Sequence, residues 1–253
     1  MAGPPDLGPD PVLIEHYAQA RASVLARIAA ACTRAGRDPA SVTLIAVSKT
    51  VDADRLRAAV AAGLDALGEN RVQEAEGKAP GVPGATWHLV GPLQSNKARR
   101  AIELFDVIQT VDSVDLARRL DRLAPEVRPG VRLPVLLQVN VDVDPAKHGF
   151  LPEAVAPALD ELLALPALDV RGLMTVGRQS SDPAVARATF RELHALSGEL
   201  RSRWPGLGPE LSMGMTDDFE AAIEDGATIV RVGRALFGER PHVHGPGEPE
   251  HIH

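Results

Sequence analysis

"VTLIAVSKTVDADRLRAAVAAGLDALGEN" occupies residues 42–70. Its first six residues are apolar or β-branched and read as a buried strand. "DADRLRAAVAAG" (52–63) then carries apolar side chains at helical spacing, opens on an aspartate suited to capping and closes on a glycine. "LDALG" (64–68) returns to a short strand. A helical crossover between two strands is the signature of parallel pairing.

The same alternation continues to the end of the chain. Further strands are expected at "TWHLVG" (86–91), "FDVIQTV" (105–111), "LPVLLQVN" (133–140), "DVRGLM" (169–174), "PELSM" (209–213) and "ATIVRVG" (227–233). Helical patterns such as "SVDLARRLDRLA" and "LPEAVAPALDELLAL" lie between them. Eight strands joined by helices predict an α/β fold, a single (β/α)8 TIM barrel, whose closure leaves no sheet edge. An open doubly wound sheet is the alternative, and no glycine-rich nucleotide fingerprint follows the first strand to support it. Upstream, Leu13, Tyr17, Ala20, Val24, Ile28 and Ala31 recur at three-and-four spacing and predict an extra N-terminal helix, ended by Gly36 and Pro39. The domain expected is 12–240, after a disordered N-terminus (1–11) and before a disordered tail (241–253).

Composition narrows the function classes. The chain has 253 residues and a net charge of -7, which offers no basic field to a phosphodiester backbone, so no nucleic acid partner is expected. No apolar run approaches membrane-span length, so no membrane association is expected. The single cysteine, Cys32, falls in the apolar register of the first helix, as suits a reducing, cytoplasmic setting. Four of the eight histidines (His242, His244, His251 and His253) crowd the tail among Gly and Pro; they read as a flexible segment, and no metal site is assigned.

The chemistry begins with lysine scarcity. Lys49, Lys78, Lys97 and Lys147 are the only lysines, and the other 23 of the 27 basic residues are arginine. A lysine at the carboxyl end of a barrel strand, in a chain that otherwise chooses arginine, points to a primary amine that can lose its proton and react. The loops after strands seven and eight supply Ser212, Gly214, Thr216 and Gly233. Thr216 is expected to cap the helix beginning "DDFEAAIEDG", and Gly233 to open the last helix, so that two helix N-termini face one spot across the barrel mouth from Lys49. An amine and a phosphate pocket on one face suggest a phosphorylated aldehyde such as pyridoxal 5'-phosphate (PLP).

The stretches "AVSKT", "GENRVQEA", "WHLVGPLQSNK", "KHGF", "RGLMTVG", "LSMGMTDDFEAAIEDGATIVRVG" and "ALFG" occur in this order between residues 46 and 238. In them the chain resembles the pyridoxal phosphate homeostasis family, the YggS-like or PROSC-like group, which is similar to the barrel of alanine racemase standing alone. The resemblance implies that Lys49 carries PLP as an internal aldimine, and that Ser212, Met215, Thr216 and Gly233 hold the phosphate. It further implies that Arg231 approaches the pyridine nitrogen and that Asn70 and Met174 line the ring. Two positions depart from the pattern. Thr216 replaces the more usual serine and keeps the hydroxyl; Arg234 stands where a small hydroxyl residue is common, and is expected either at the phosphate or pointing outward.

Racemisation needs an acid/base group on each side of the α-carbon. In the resembling racemases the second base is a tyrosine from a separate domain, whereas the one tyrosine here, Tyr17, reads as a core residue of the first helix. An arginine at the pyridine nitrogen also leaves the ring a weak electron sink. The expectation is therefore a carrier and buffer of PLP, a monomeric regulator without turnover, with apo PLP-enzymes as recipients and Lys97 or Lys147 as candidate relay amines. The alternative is a PLP-dependent racemase or lyase using Lys49 as base.

Overall fold

The computed structural model describes residues 8–177 and 183–238. The expected tail 241–253, with its histidines, lies outside the described residues, as does most of the expected N-terminal segment. The first helix, α1 (Pro11–Arg34), starts one residue earlier than the sequence pattern suggests. The reason is local: Asp10 Oδ1 accepts the Val12 N–H at 2.9 Å, and Pro11, which has no N–H to leave unpaired, opens the helix.

The chain then alternates as β1 (Thr43–Val47), α2 (Ala53–Ala61), β2 (Ala66–Glu69), α3 (Val72–Lys78), β3 (Thr86–Leu89), α4 (Ala98–Leu104), β4 (Val107–Val111), α5 (Val114–Val127) and β5 (Leu133–Gln138). It ends with α6 (Pro152–Ala164), β6 (Leu168–Met174), α7 (Pro183–Arg203), β7 (Glu210–Ser212), α8 (Phe219–Glu224), β8 (Ile229–Val232) and α9 (Arg234–Phe237). The strands form a closed barrel in sequence order, every neighbouring pair parallel. All eight expected strands are present, each with ends within two residues of the sequence reading.

Closure corrects one expectation. β8 pairs directly with β1, with Arg231 opposite Ile45, so the loops after β7 and β8 adjoin the end of β1 rather than face it across the mouth. A Cβ on Gly233 would lie 3.3 Å from the Val47 carbonyl oxygen, which shows how closely the two loops meet.

α1 braces this seam from outside. Tyr17 is fully buried, stacks edge-on against Phe237 of α9 at 5.5 Å, and its hydroxyl accepts from Arg55 Nε of α2 at 2.8 Å. Arg27 donates to Glu220 of α8 at 2.6 Å while lying over the Phe219 ring at 4.5 Å. One helix thereby clamps the three helices that follow β1, β7 and β8. Cys32 is buried in the same packing.

Candidate functional site

Lys49 follows β1 in a tight turn. The Val51 N–H donates to the Ser48 carbonyl at 3.0 Å, and Thr50, in the third position, has φ 67°. That is the left-handed value a type II turn requires and a β-branched residue resists, at a cost of about 1–3 kcal/mol. Strain of this kind persists only where neighbours enforce it. Here the enforcing group is Glu69, the last residue of β2 and fully buried: its Oε1 accepts from Ser48 Oγ at 2.9 Å and from Lys78 Nζ at 2.7 Å. Lys78 Nζ also donates to the Ser48 carbonyl at 3.1 Å. Burial pushes the Glu69 carboxyl above the usual range, and the Lys78 ammonium opposes that. Lys49 itself is half-buried.

Arg231, on the adjoining strand, is almost wholly buried. Its Nη1 donates to Ser212 Oγ at 2.7 Å and its Nη2 to the Thr175 carbonyl at 2.8 Å. Among the described residues no carboxylate comes within ion-pair distance of it, and burial lowers its pKa to about 10. Ser212 in turn donates to Gln109 Oε1 at 2.6 Å, and Gln109 Nε2 lies 3.0 Å from His88 Nδ1. Met174 is fully buried in a small interior layer with Ile45, Leu136 and Ile229, one residue short of Thr175, and Asn70 is half-buried at the end of β2.

The loop after β7 is built around Gly214, at φ 89°, where a Cβ would lie 2.5 Å from that of Ala222. Asp218 Oδ1 accepts the Met215 N–H at 2.6 Å, and the Asp218 and Phe219 amides return to the Met215 carbonyl. This closed turn delays α8 to Phe219, so Thr216 does not cap the helix, as its position suggested. Instead Thr216 Oγ1 accepts the Gly233 N–H at 3.3 Å and ties the two loops together. The Thr216, Asp217, Arg234 and Ala235 amides make no hydrogen bond among the described residues.

Three further placements bear on the sequence expectations. Ser212 was expected on the phosphate; its hydroxyl is spoken for inside the barrel by Arg231 and Gln109. Arg234 is more than half exposed and paired with Asp217 across the loops. Lys147 is held by Asp142 at 2.6 Å and the Val176 carbonyl at 3.0 Å. Lys97, by contrast, has no ion pair among the described residues. It lines a groove of about 1050 Å³ that includes Asn70, Arg71, Asp112 and His148, on the same face of the barrel. Sequence reasoning missed Lys78, Glu69 and Gln109 as site residues. The available signal for Gln109 was an amide inside an otherwise apolar strand.

No group of three or more His, Cys, Asp or Glu side chains among the described residues is arranged to hold a metal. No described helix is long and apolar enough to cross a membrane.

A one-domain parallel barrel with a lysine ending β1 and an arginine in β8 matches the family model "Alanine racemase, N-terminal domain" over residues 21–241. Alanine racemase of Clostridium difficile 630 shares the fold at a TM-score of 0.65 and 15% identity, over 87% of this chain and 60% of that one. Closer relatives are more specific. The chain is 45% identical to the pyridoxal phosphate homeostasis protein of Pseudomonas aeruginosa over 87% of its own length and 94% of the relative's, and 42% identical to that of Escherichia coli K12 over the same shares. PipY of Synechococcus elongatus PCC7942, solved with PLP bound, superposes at a TM-score of 0.76 and 42% identity over 88% of this chain and all of that one. The chain therefore belongs to the pyridoxal phosphate homeostasis protein family.

Proposed function

We propose that this protein binds PLP at the carboxyl face of the barrel through the amine of Lys49, and that it carries and buffers the cofactor rather than turning over a substrate. The observation that carries the reading is the seam between β8 and β1. It places a reactive-type lysine, a buried arginine with no carboxylate in ion-pair contact and a loop pair with open amides on neighbouring strands.

The residues fit the cofactor. Arg231, satisfied only by neutral oxygens, offers a donor to a pyridine nitrogen that is not protonated. The amides of Thr216, Asp217, Arg234 and Ala235, in loops tied by Thr216 and Gly233, are suited to a phosphate dianion, with Met215 beside them. Met174 would floor the ring and Asn70 wall it. Ser212 acts through Arg231 rather than on the phosphate. When bound, PLP supplies an aldehyde that a primary amine captures reversibly.

Lys49 gives the cofactor a fixed address. The Ser48–Val51 turn and the Glu69–Lys78 pair hold its backbone, and Arg231 withholds the proton that would make the ring a strong electron sink. Tyr17, the chain's one tyrosine, is buried beneath α9 with its hydroxyl engaged by Arg55, so it cannot serve as the second base of a racemase. The groove beside Asn70 offers a route by which a recipient apo PLP-enzyme reaches the cofactor, and Lys97 is better placed than the tethered Lys147 to assist. The reading includes a cytoplasmic monomer.

The test combines three assays on purified protein. Wild type titrated with PLP turns yellow and Lys49→Ala does not; loaded wild type donates PLP to an apo-enzyme; and amino acids are not racemised. A turnover number of about 1 s⁻¹ or more with any amino acid would replace the carrier by an enzyme.

A further inference from the structure

The hydrogen-bond chain that starts at Arg231 crosses the barrel interior from β8 through β7 and β4 to β3, and all four of its side chains are buried. Its direction is set at one end. A guanidinium can only donate, so Ser212 Oγ accepts there and sends its own proton to Gln109 Oε1. Gln109 must then turn its amide nitrogen to His88, whose Nδ1 must accept and whose proton sits on Nε2. Reversing Gln109 would give Ser212 two donors and strip its buried hydroxyl of an acceptor, which is costly.

We propose that Gln109 and His88 are positioning residues for the bound ring: through Ser212 they fix the Arg231 guanidinium, which can only donate, against the pyridine nitrogen and supply no further transferable proton there. This rests on the PLP reading above. Every proton in the chain points from Arg231 toward His88, so the chain has none to return. The far end is secured too, because burial lowers His88 to about 4 and keeps the imidazole neutral at pH 7. Arg231, Ser212, Gln109 and His88 thus form one device, and only its first member is positioned to touch the cofactor.

Two measurements test it. Imidazole ¹⁵N NMR on unloaded protein at pH 7 should show His88 neutral with its proton on Nε2 in wild type, and a proton on Nδ1 in Gln109→Glu, where a carboxylate faces that nitrogen. A proton on Nδ1 in wild type overturns the chain. In PLP titrations, Gln109→Leu, which leaves Ser212 without an acceptor, should weaken binding about tenfold and move the absorbance maximum, with Gln109→Glu closer to wild type. A folded Gln109→Leu protein with unchanged Kd and spectrum overturns the positioning role. If wild type took up no PLP, the functional reading and the ring's part in this proposal would fall together, while the NMR result would still decide the direction of the chain.

Discussion

Lys78 and Arg231 are both cations withdrawn from water, at the ends of neighbouring parts of one barrel, yet they are satisfied in opposite ways. Lys78 meets a buried carboxylate, Glu69, and the Ser48 carbonyl; its charge is neutralised where it stands. Arg231 meets only a hydroxyl and a carbonyl. Its counter-charge, Asp218, acts on it only from beyond ion-pair distance, and a buried charge without a contacting counter-charge costs stability. The region around Lys78 is therefore scaffold, holding the strained turn that carries Lys49. The region around Arg231 is, on the proposed function, where electrostatic capacity is kept for the cofactor.

Removing the scaffold cation should produce the largest effect. Lys78→Met strands the Glu69 carboxylate and should cost about 3–5 kcal/mol in urea unfolding at pH 7. Glu69 is already raised by burial, and losing Lys78 raises it further. Between the ordinary carboxylate range and that raised value the folded protein binds a proton that the unfolded chain lacks, so the deficit should shrink as pH falls through that raised value. A deficit independent of pH would separate Lys78 from Glu69 and break the contrast.

On the Arg231 side, the far end of the chain makes the next prediction. His88 is lowered by burial from 6.5 to about 4, so its contribution to stability is full above pH 6.5 and is lost as pH falls toward 4. Wild type should lose about 3 kcal/mol over that window. His88→Gln should show a shallower slope in the same denaturant series.

Smaller effects sharpen the picture of the loops. Gly214→Ala puts a Cβ at φ 89° and against Ala222, and should lower stability by about 1–3 kcal/mol with a measurable fall in melting temperature. Arg234→Ala removes an exposed pair with Asp217 and should change stability by less than about 1 kcal/mol, and PLP affinity hardly at all. A large loss of affinity would place Arg234 on the phosphate after all.

The barrel was legible because each strand is a compact apolar run set off from an amphipathic helix, and parallel pairing with a closed sheet leaves few other solutions. Lys49 and the glycine-rich loops stand out as candidates because they follow strand ends, whereas Arg231, within β8, became a candidate through the family resemblance. What stayed hidden were partners fixed only by closure. Nothing in "VIQTV" says that Gln109 reaches Ser212, 103 residues away, and Lys78 looks like an ordinary helix-surface lysine until Glu69 is seen beneath it. Thr216 misled for a related reason: it has the composition of a cap, but Asp218 claims the Met215 amide first and shifts the helix start.

The account stands on the amine at the end of β1. Borohydride reduction of PLP-loaded protein, followed by peptide mapping, should find the pyridoxyl group on Lys49 and nowhere else, and Lys49→Ala should take up no label. A label on Lys97 or Lys147 in wild type, or an undiminished yellow band in Lys49→Ala, would contradict it.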